Sequence, residues 1–159
     1  MMKMREYPFC PKSTSYLEPG QYWPIALSNG YFAAGRVLQI NMTSGARDRR
    51  MFLAGLMNWC SDAPPNVKSL AGARLLDFGV VHTRMFSSNG FQIEGHRPLG
   101  ADHLSVPLTL DCAPSRHARV VRGFDILGFA KPAQYSLPIL TTWGMGVIVL
   151  LAEGHFVGK

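Results

Sequence analysis

A cysteine nucleophile needs a base within reach and a third group that orients that base. Cys112, with Asp111 beside it and His117 a few residues on, is the arrangement in this chain that comes nearest to that demand. Adjacent residues on a strand face opposite sides, so Asp111 and Cys112 are expected to diverge. The histidines are His82, His96, His103, His117 and His155, and none stands at a His-x₃-His spacing. No two of Cys10, Cys60 and Cys112 form a Cys-x₂-Cys pair, so a metal centre would need His96 with His103, or Cys112 with His117, to meet only in space. The ten acidic residues are scattered singly rather than paired for acid–base work. Gly144-x-Gly146 lacks the third glycine of a dinucleotide fingerprint, and neither a phosphate loop ending in Lys-Ser/Thr nor a Gly-x-Ser-x-Gly elbow occurs. The expectation is a chain with no catalytic residues, no metal and no cofactor. A hydrolase built on Cys112 or a histidine is the remaining enzymatic alternative.

The charge is more informative. The chain carries 16 basic and 10 acidic residues, a net charge of +6, and most of the basic residues are arginine. Arginine's planar fork suits bidentate contact with carboxylate or phosphate. Two clusters stand out: Arg47, Arg49 and Arg50, and then Arg116, Arg119 and Arg122 with His117 among them. They are the candidate partner-binding residues, facing either an acidic protein surface or nucleic acid. For nucleic acid, Trp23, Tyr31 and Phe32 are the aromatics available to stack on bases.

The elements that must position these groups read as short strands. Hydrophobic residues make up 47% of the chain against 16% charged, and 16 glycines with 11 prolines suit many turns. Gln21–Leu27 and Tyr31–Ile40 flank Ser28-Asn29-Gly30, a hairpin signal read as a type I′ turn. Pro24 suits an edge strand, whereas Tyr31–Ile40 is apolar on both parities and is expected to be buried on both faces. Arg49–Trp59 is a third strand, Val67–Leu76 a short helix, and Leu76–His82 a strand. Asn89-Gly90 repeats the hairpin signal ahead of the alternating Phe91–Glu94. Arg119–Phe129 reads as one further strand. Pro132–Ala152 has no charge, but prolines, glycines and polar residues interrupt it, so Val147–Leu151 is expected to be a buried strand rather than part of a membrane span. His155-Phe156-Val157 is a candidate final edge strand. Together these predict a mainly β fold, a small curved β-barrel or sandwich with one or two short helices. Residues 1–16 are expected to form a loosely ordered arm and residues 17–159 a single β-rich domain. Three sparse cysteines, an odd count, and an N-terminus without an apolar signal region suggest buried, reduced thiols in a cytoplasmic protein.

One stretch also resembles a known family. Leu17-Glu18-Pro19-Gly20, Tyr22 to Leu27, Asn29-Gly30-Tyr31 and Gly35-Arg36-Val37-Leu38 resemble the opening of the immunity protein 26 family: a Pro-Gly start, an apolar strand with proline, a glycine turn and a Gly-x-Val-Leu strand. Gln21 stands where the family often has Asp, and Trp23-Pro24-Ile25-Ala26-Leu27 separates the proline from the leucine. Phe52–Trp59 and Phe91–Leu99 look like the family's later strands, so the resemblance covers residues 17–100. It implies a bacterial immunity protein that binds and neutralises a toxin encoded in the neighbouring gene, without catalysis. A net charge of +6 sets this chain apart from acidic mimics of nucleic acid. The alternative is a small β-barrel nucleic-acid-binding module that uses the arginine clusters.

Overall fold

The computed structural model of the chain describes residues 6–158. Its main sheet has six strands: β1 (Gln21–Ala26), β2 (Phe32–Ile40), β3 (Met51–Ser61), β4 (Arg74–His82), β5 (Gly95–His96) and β9 (Thr142–Trp143), in the order β5-β1-β2-β3-β4-β9. A second sheet holds β6 (Leu108–Leu110), β7 (Arg119–Arg122) and β8 (Asp125–Phe129) in chain order. Two helices, α1 (Arg84–Asn89) and α2 (Val147–Phe156), complete the set. The fold is mainly β, and neither sheet closes on itself. The result is two open sheets rather than a barrel.

Alternation along the first strands explains the packing. Odd-numbered residues of β1, Trp23 and Ile25, point to the face that α1 and α2 cover, together with Ala33, Val37, Phe52, Ala54, Leu56 and Val81. The opposite parity, with Tyr22, Ala34 and Met57, builds a smaller cluster under Leu70 and Ala73. β2 is therefore buried on both faces, as its composition predicts. Trp23 is the centre of the larger cluster. Its ring meets Phe86 at 5.0 Å and Phe52 at 6.4 Å, edge-on in both cases, while Phe52 and Phe86 stack at 5.6 Å. Such a wide ring fits because its cross-strand partner is Gly35. Trp143 of β9, whose cross-strand partner is Val81, lays its ring over Gly79 of β4.

Several expectations need correction. The hairpin at Asn29-Gly30 forms, but among the described residues only Gly30 of the turn has positive φ (84°). Gly30 N–H donates to Leu27 O and Leu27 N–H to Tyr31 O, the pattern of a three-residue loop ending in a left-handed glycine rather than a type I′ turn. Asn89-Gly90 makes no hairpin: Gly90, at φ 68°, caps the C-terminus of α1. Phe91–Glu94 alternates in burial yet contributes only a single bridge, Ile93 to Phe9. Val67–Leu76 is a chain of turns leading into β4, not a helix. Arg119–Phe129 is two strands, because Gly123 at φ 60° folds β8 back on β7. The expected strand at Val147–Leu151 and the edge strand at His155–Val157 are replaced by α2. That helix buries Ile148 and Ala152, one turn apart, and leaves Leu150 72% exposed. Glu153 anchors it, its carboxylate accepting from Ser28 N–H at 2.6 Å and Ser28 Oγ at 2.7 Å. Among the described residues no helix is long and apolar enough to cross a membrane.

Of the segment read as a loose arm, residues 1–5 lie outside the described residues. In the remainder, Phe9 and Ile93 exchange two backbone hydrogen bonds, and Thr14 is fully buried. Cys10, Cys60 and Cys112 are all exposed free thiols, where buried ones were expected, because each sits on a loop or at a strand end.

Candidate functional site

The two arginine clusters lie on different elements and have different surroundings. Arg47, on the turn between β2 and β3, is a structural tie: its Nη1 donates to Thr14 O at 2.7 Å and to Leu17 O at 3.3 Å. Arg49 and Arg50 are exposed at the entrance to β3. Their backbone carbonyls are held from two sides, Arg49 O by Thr14 N–H at 3.0 Å and Arg50 O by Thr83 N–H at 2.8 Å. Asp48 fixes the corner, its Oδ1 accepting from Arg50 N–H and Met51 N–H. Side chains from three separate stretches thereby share one cleft of about 560 Å³: Lys12, Arg49, Arg50, His82, Arg84 and Ser87 are among its lining. Sequence reading found Arg49 and Arg50 but missed Lys12 and Arg84, which only the pairing of β3 with β4 and the docking of the N-terminal segment bring near.

The second cluster is on the small sheet. Arg119 is paired with Asp111, Nε to Oδ2 at 2.7 Å; the Arg119 backbone N–H first, and then this contact, hold the Asp111 carboxyl below its ordinary value. Arg116 Nε donates to His117 Nε2 at 3.4 Å, and Arg122 is exposed. Beside them runs β8, whose five residues are all exposed. Ile126, Leu127 and Phe129 are 52%, 55% and 69% exposed. Among the described strands β8 pairs only with β7, leaving its outer edge open. Arg119 stands opposite Phe129 and Arg122 opposite Asp125. Soluble chains rarely present neighbouring large apolar side chains on an open edge unless something covers them. Nothing in the sequence marked this strip, since the alternation of Arg119–Phe129 read as one half-buried strand.

The remaining candidates do not assemble into a catalytic arrangement. The Cys112 thiol is pushed up by loss of water and by the adjacent Asp111, which makes the thiolate scarcer rather than more available. Asp111 is engaged with Arg119, and His117 with Arg116. Among the described residues no three His, Cys, Asp or Glu side chains come together as a metal site. Of the aromatics suited to stacking on bases, Trp23 is fully buried and Phe32 half-buried, leaving Tyr31 at 47% exposure.

A polar cluster inside the fold is structural. Arg97 and Asp102 form a two-pronged pair, Nε to Oδ2 and Nη2 to Oδ1, both at 2.7 Å. Asp102 also accepts from Gly72 N–H at 2.9 Å. Arg36 lies fully buried nearby, its Nη2 donating to Arg97 O while Nε and Nη1 have no partner among the described residues. Desolvation pushes the Arg36 guanidinium below its ordinary value, and Asp102 opposes that shift.

Comparison with known proteins finds no match among family models, curated proteins or solved structures.

Proposed function

We propose that this chain is a non-catalytic binding protein, an immunity protein that captures and neutralises a toxin encoded in the neighbouring gene. The observation that carries the reading is the open β8 edge, with Ile126, Leu127 and Phe129 bare to solvent beside Arg119 and Arg122. An apolar strip rimmed by charge is the usual anatomy of a protein interface. Arg119 is already paired with Asp111, whereas Arg122 makes no salt bridge among the described residues and favours a partner with a carboxylate beside an apolar centre; rim charges of this kind chiefly speed association. The resemblance of residues 17–100 to the immunity protein 26 family supports a toxin as that partner. A cytoplasmic location accords with this role.

Co-expression with the toxin from the adjacent gene tests the reading. The wild-type chain is expected to restore growth and to co-purify with the toxin. Leu127→Asp together with Phe129→Asp is expected to weaken the complex by at least about thirtyfold, the loss of a single interface anchor worth roughly 2 kcal/mol. Both side chains are exposed, so the variant should keep its circular dichroism spectrum and melting temperature. Absence of both rescue and complex with the wild-type chain refutes the immunity reading. A complex that the double variant forms equally well refutes β8 as its seat.

A further inference from the structure

The cleft bounded by the N-terminal segment, the entrance to β3 and the β4–α1 corner has a use separate from the β8 edge. Lys12, Arg49, Arg50 and Arg84 all line it, and none of them makes a salt bridge among the described residues. Among the described residues the lining is neutral, basic or histidine, with no carboxylate to offset these four cations from within the cleft. Like charges gathered in one recess raise its potential and concentrate anions there. The gathering is built by the backbone rather than by chance side-chain positions: the hydrogen bonds from Thr14 and Thr83 clamp Arg49 and Arg50 between two walls. On the second wall, Arg84 N–H donates to His82 Nδ1 at 2.9 Å, which leaves the proton of the neutral ring on Nε2. The cleft thus offers guanidinium, ammonium, imidazole and hydroxyl donors.

We propose that this cleft binds a small ligand bearing a phosphate group, either free phosphate or a phosphate monoester, with Arg49, Arg50 and Arg84 as forked donors and Lys12 as a point charge. Arginine forks match the oxygens of a phosphate, and charge-assisted hydrogen bonds of this type are the stronger kind. A small ligand fits better than a nucleic-acid strand for two reasons. The cations converge on one recess of about 560 Å³, within the range of small-molecule sites, rather than following a stripe. Among the described residues no Phe, Tyr or Trp side chain lines it, whereas single-strand binders rely on stacking.

Calorimetric and NMR titrations of the full chain with inorganic phosphate, with adenosine monophosphate and with single-stranded oligonucleotides test this. Saturable binding of phosphate or the monophosphate is expected, with amide shifts concentrated at residues 10–13 and 82–87. The relative affinity of the two probes tells free phosphate from a monoester. Arg50→Gln and Arg84→Gln should each weaken binding about tenfold, the loss typical of one charge-assisted contact. Arg116→Gln with Arg122→Gln, on the other sheet, should leave it unchanged. Absence of saturable binding, or equal binding by an Arg50→Gln/Arg84→Gln double variant with unchanged melting temperature, overturns the proposal. So does oligonucleotide binding that strengthens with length and falls in both pairs of variants, which would mark a general phosphodiester-binding surface.

Discussion

Replacing Gly35 with alanine is expected to destabilise the fold by about 3 kcal/mol, and replacing it with valine by more. Gly35 pairs across the strand with Trp23, and a Cβ placed there would lie 2.7 Å from the indole Nε1 and still closer to ring carbons. The ring has nowhere to go. It is fully buried and held by Phe52, Phe86 and Phe91 around it. Packed interiors yield little to added volume, so the strands must part or the tryptophan must leave its rotamer. Gly100→Ala is the control: nothing lies within 4 Å of its added Cβ, and the change should stay within about 0.5 kcal/mol. Denaturant midpoints of the three proteins decide the matter. A Gly35→Ala midpoint equal to that of Gly100→Ala would mean that the indole does not cover Gly35. Combining Gly35→Ala with Trp23→Leu should cost less than the two changes summed, because the smaller side chain makes room for the methyl group.

That glycine illustrates what could be read before any coordinates. The run Tyr31–Ile40 is apolar on both parities, which predicts a strand buried on both faces, and β2 is one. Ala33-Ala34-Gly35 marks a close approach, though only the cross-strand register identifies Trp23 as what approaches. The neighbouring β3 was legible as a long apolar run bounded by turns, and β4 from Leu76 onward, its first residues Arg74 and Leu75 falling within the expected helix. The failures have physical causes as well. Val147–Leu151 is continuously apolar and rich in β-branched residues, so periodicity could not separate strand from helix. Burial of Ile148 and Ala152 in the large cluster and the anchoring of Glu153 by Ser28 select the helix; the first depends on the main sheet's inner face and the second on the position of the β1–β2 turn. Asn29-Gly30 and Asn89-Gly90 are the same dipeptide in a hairpin and at a helix end. Each uses the glycine's positive φ, and the surrounding chain decides the rest.

The candidate sites were less legible than the fold, because sequence clusters and spatial clusters differ. Arg47, Arg49 and Arg50 read as one group, yet Arg47 is bonded to Thr14 and Leu17 carbonyls while its neighbours face the cleft. Lys12 and Arg84 join that cleft from stretches far away in the chain. The exposed β8 strip escaped notice because apolar residues in a strand pattern ordinarily indicate burial. Gly123 and the small size of the second sheet leave Ile126, Leu127 and Phe129 uncovered instead.

Asp102→Asn is expected to lower the melting temperature by several degrees at pH 7, and the deficit should narrow steadily once the pH falls below 3.8. The Asp102 carboxylate receives two N–H groups of Arg97 and the Gly72 N–H, with only 3% of its side chain exposed. The Arg97 bonds, then the Gly72 bond, hold its carboxyl far below the usual 3.8. A carboxyl whose folded value is depressed stabilises the native state fully above its unfolded value. That contribution is lost as the pH falls through the folded value. Wild type should therefore lose the Asp102 contribution progressively below pH 3.8. The asparagine variant, which has no proton to take up at this position, should show a flatter acid limb. Asp111 is also depressed but is present in both proteins, so its contribution cancels in the difference. Asparagine keeps the shape of the side chain but removes the charge that offsets Arg97 and the buried Arg36, leaving two guanidinium groups facing each other with less compensation. Thermal melts of both proteins from pH 7 to pH 2 measure the effect. A gap that stays constant across that range would show that Asp102 acts through shape and neutral hydrogen bonding alone; a gap that shrinks between about pH 4 and pH 2 assigns its contribution to charge.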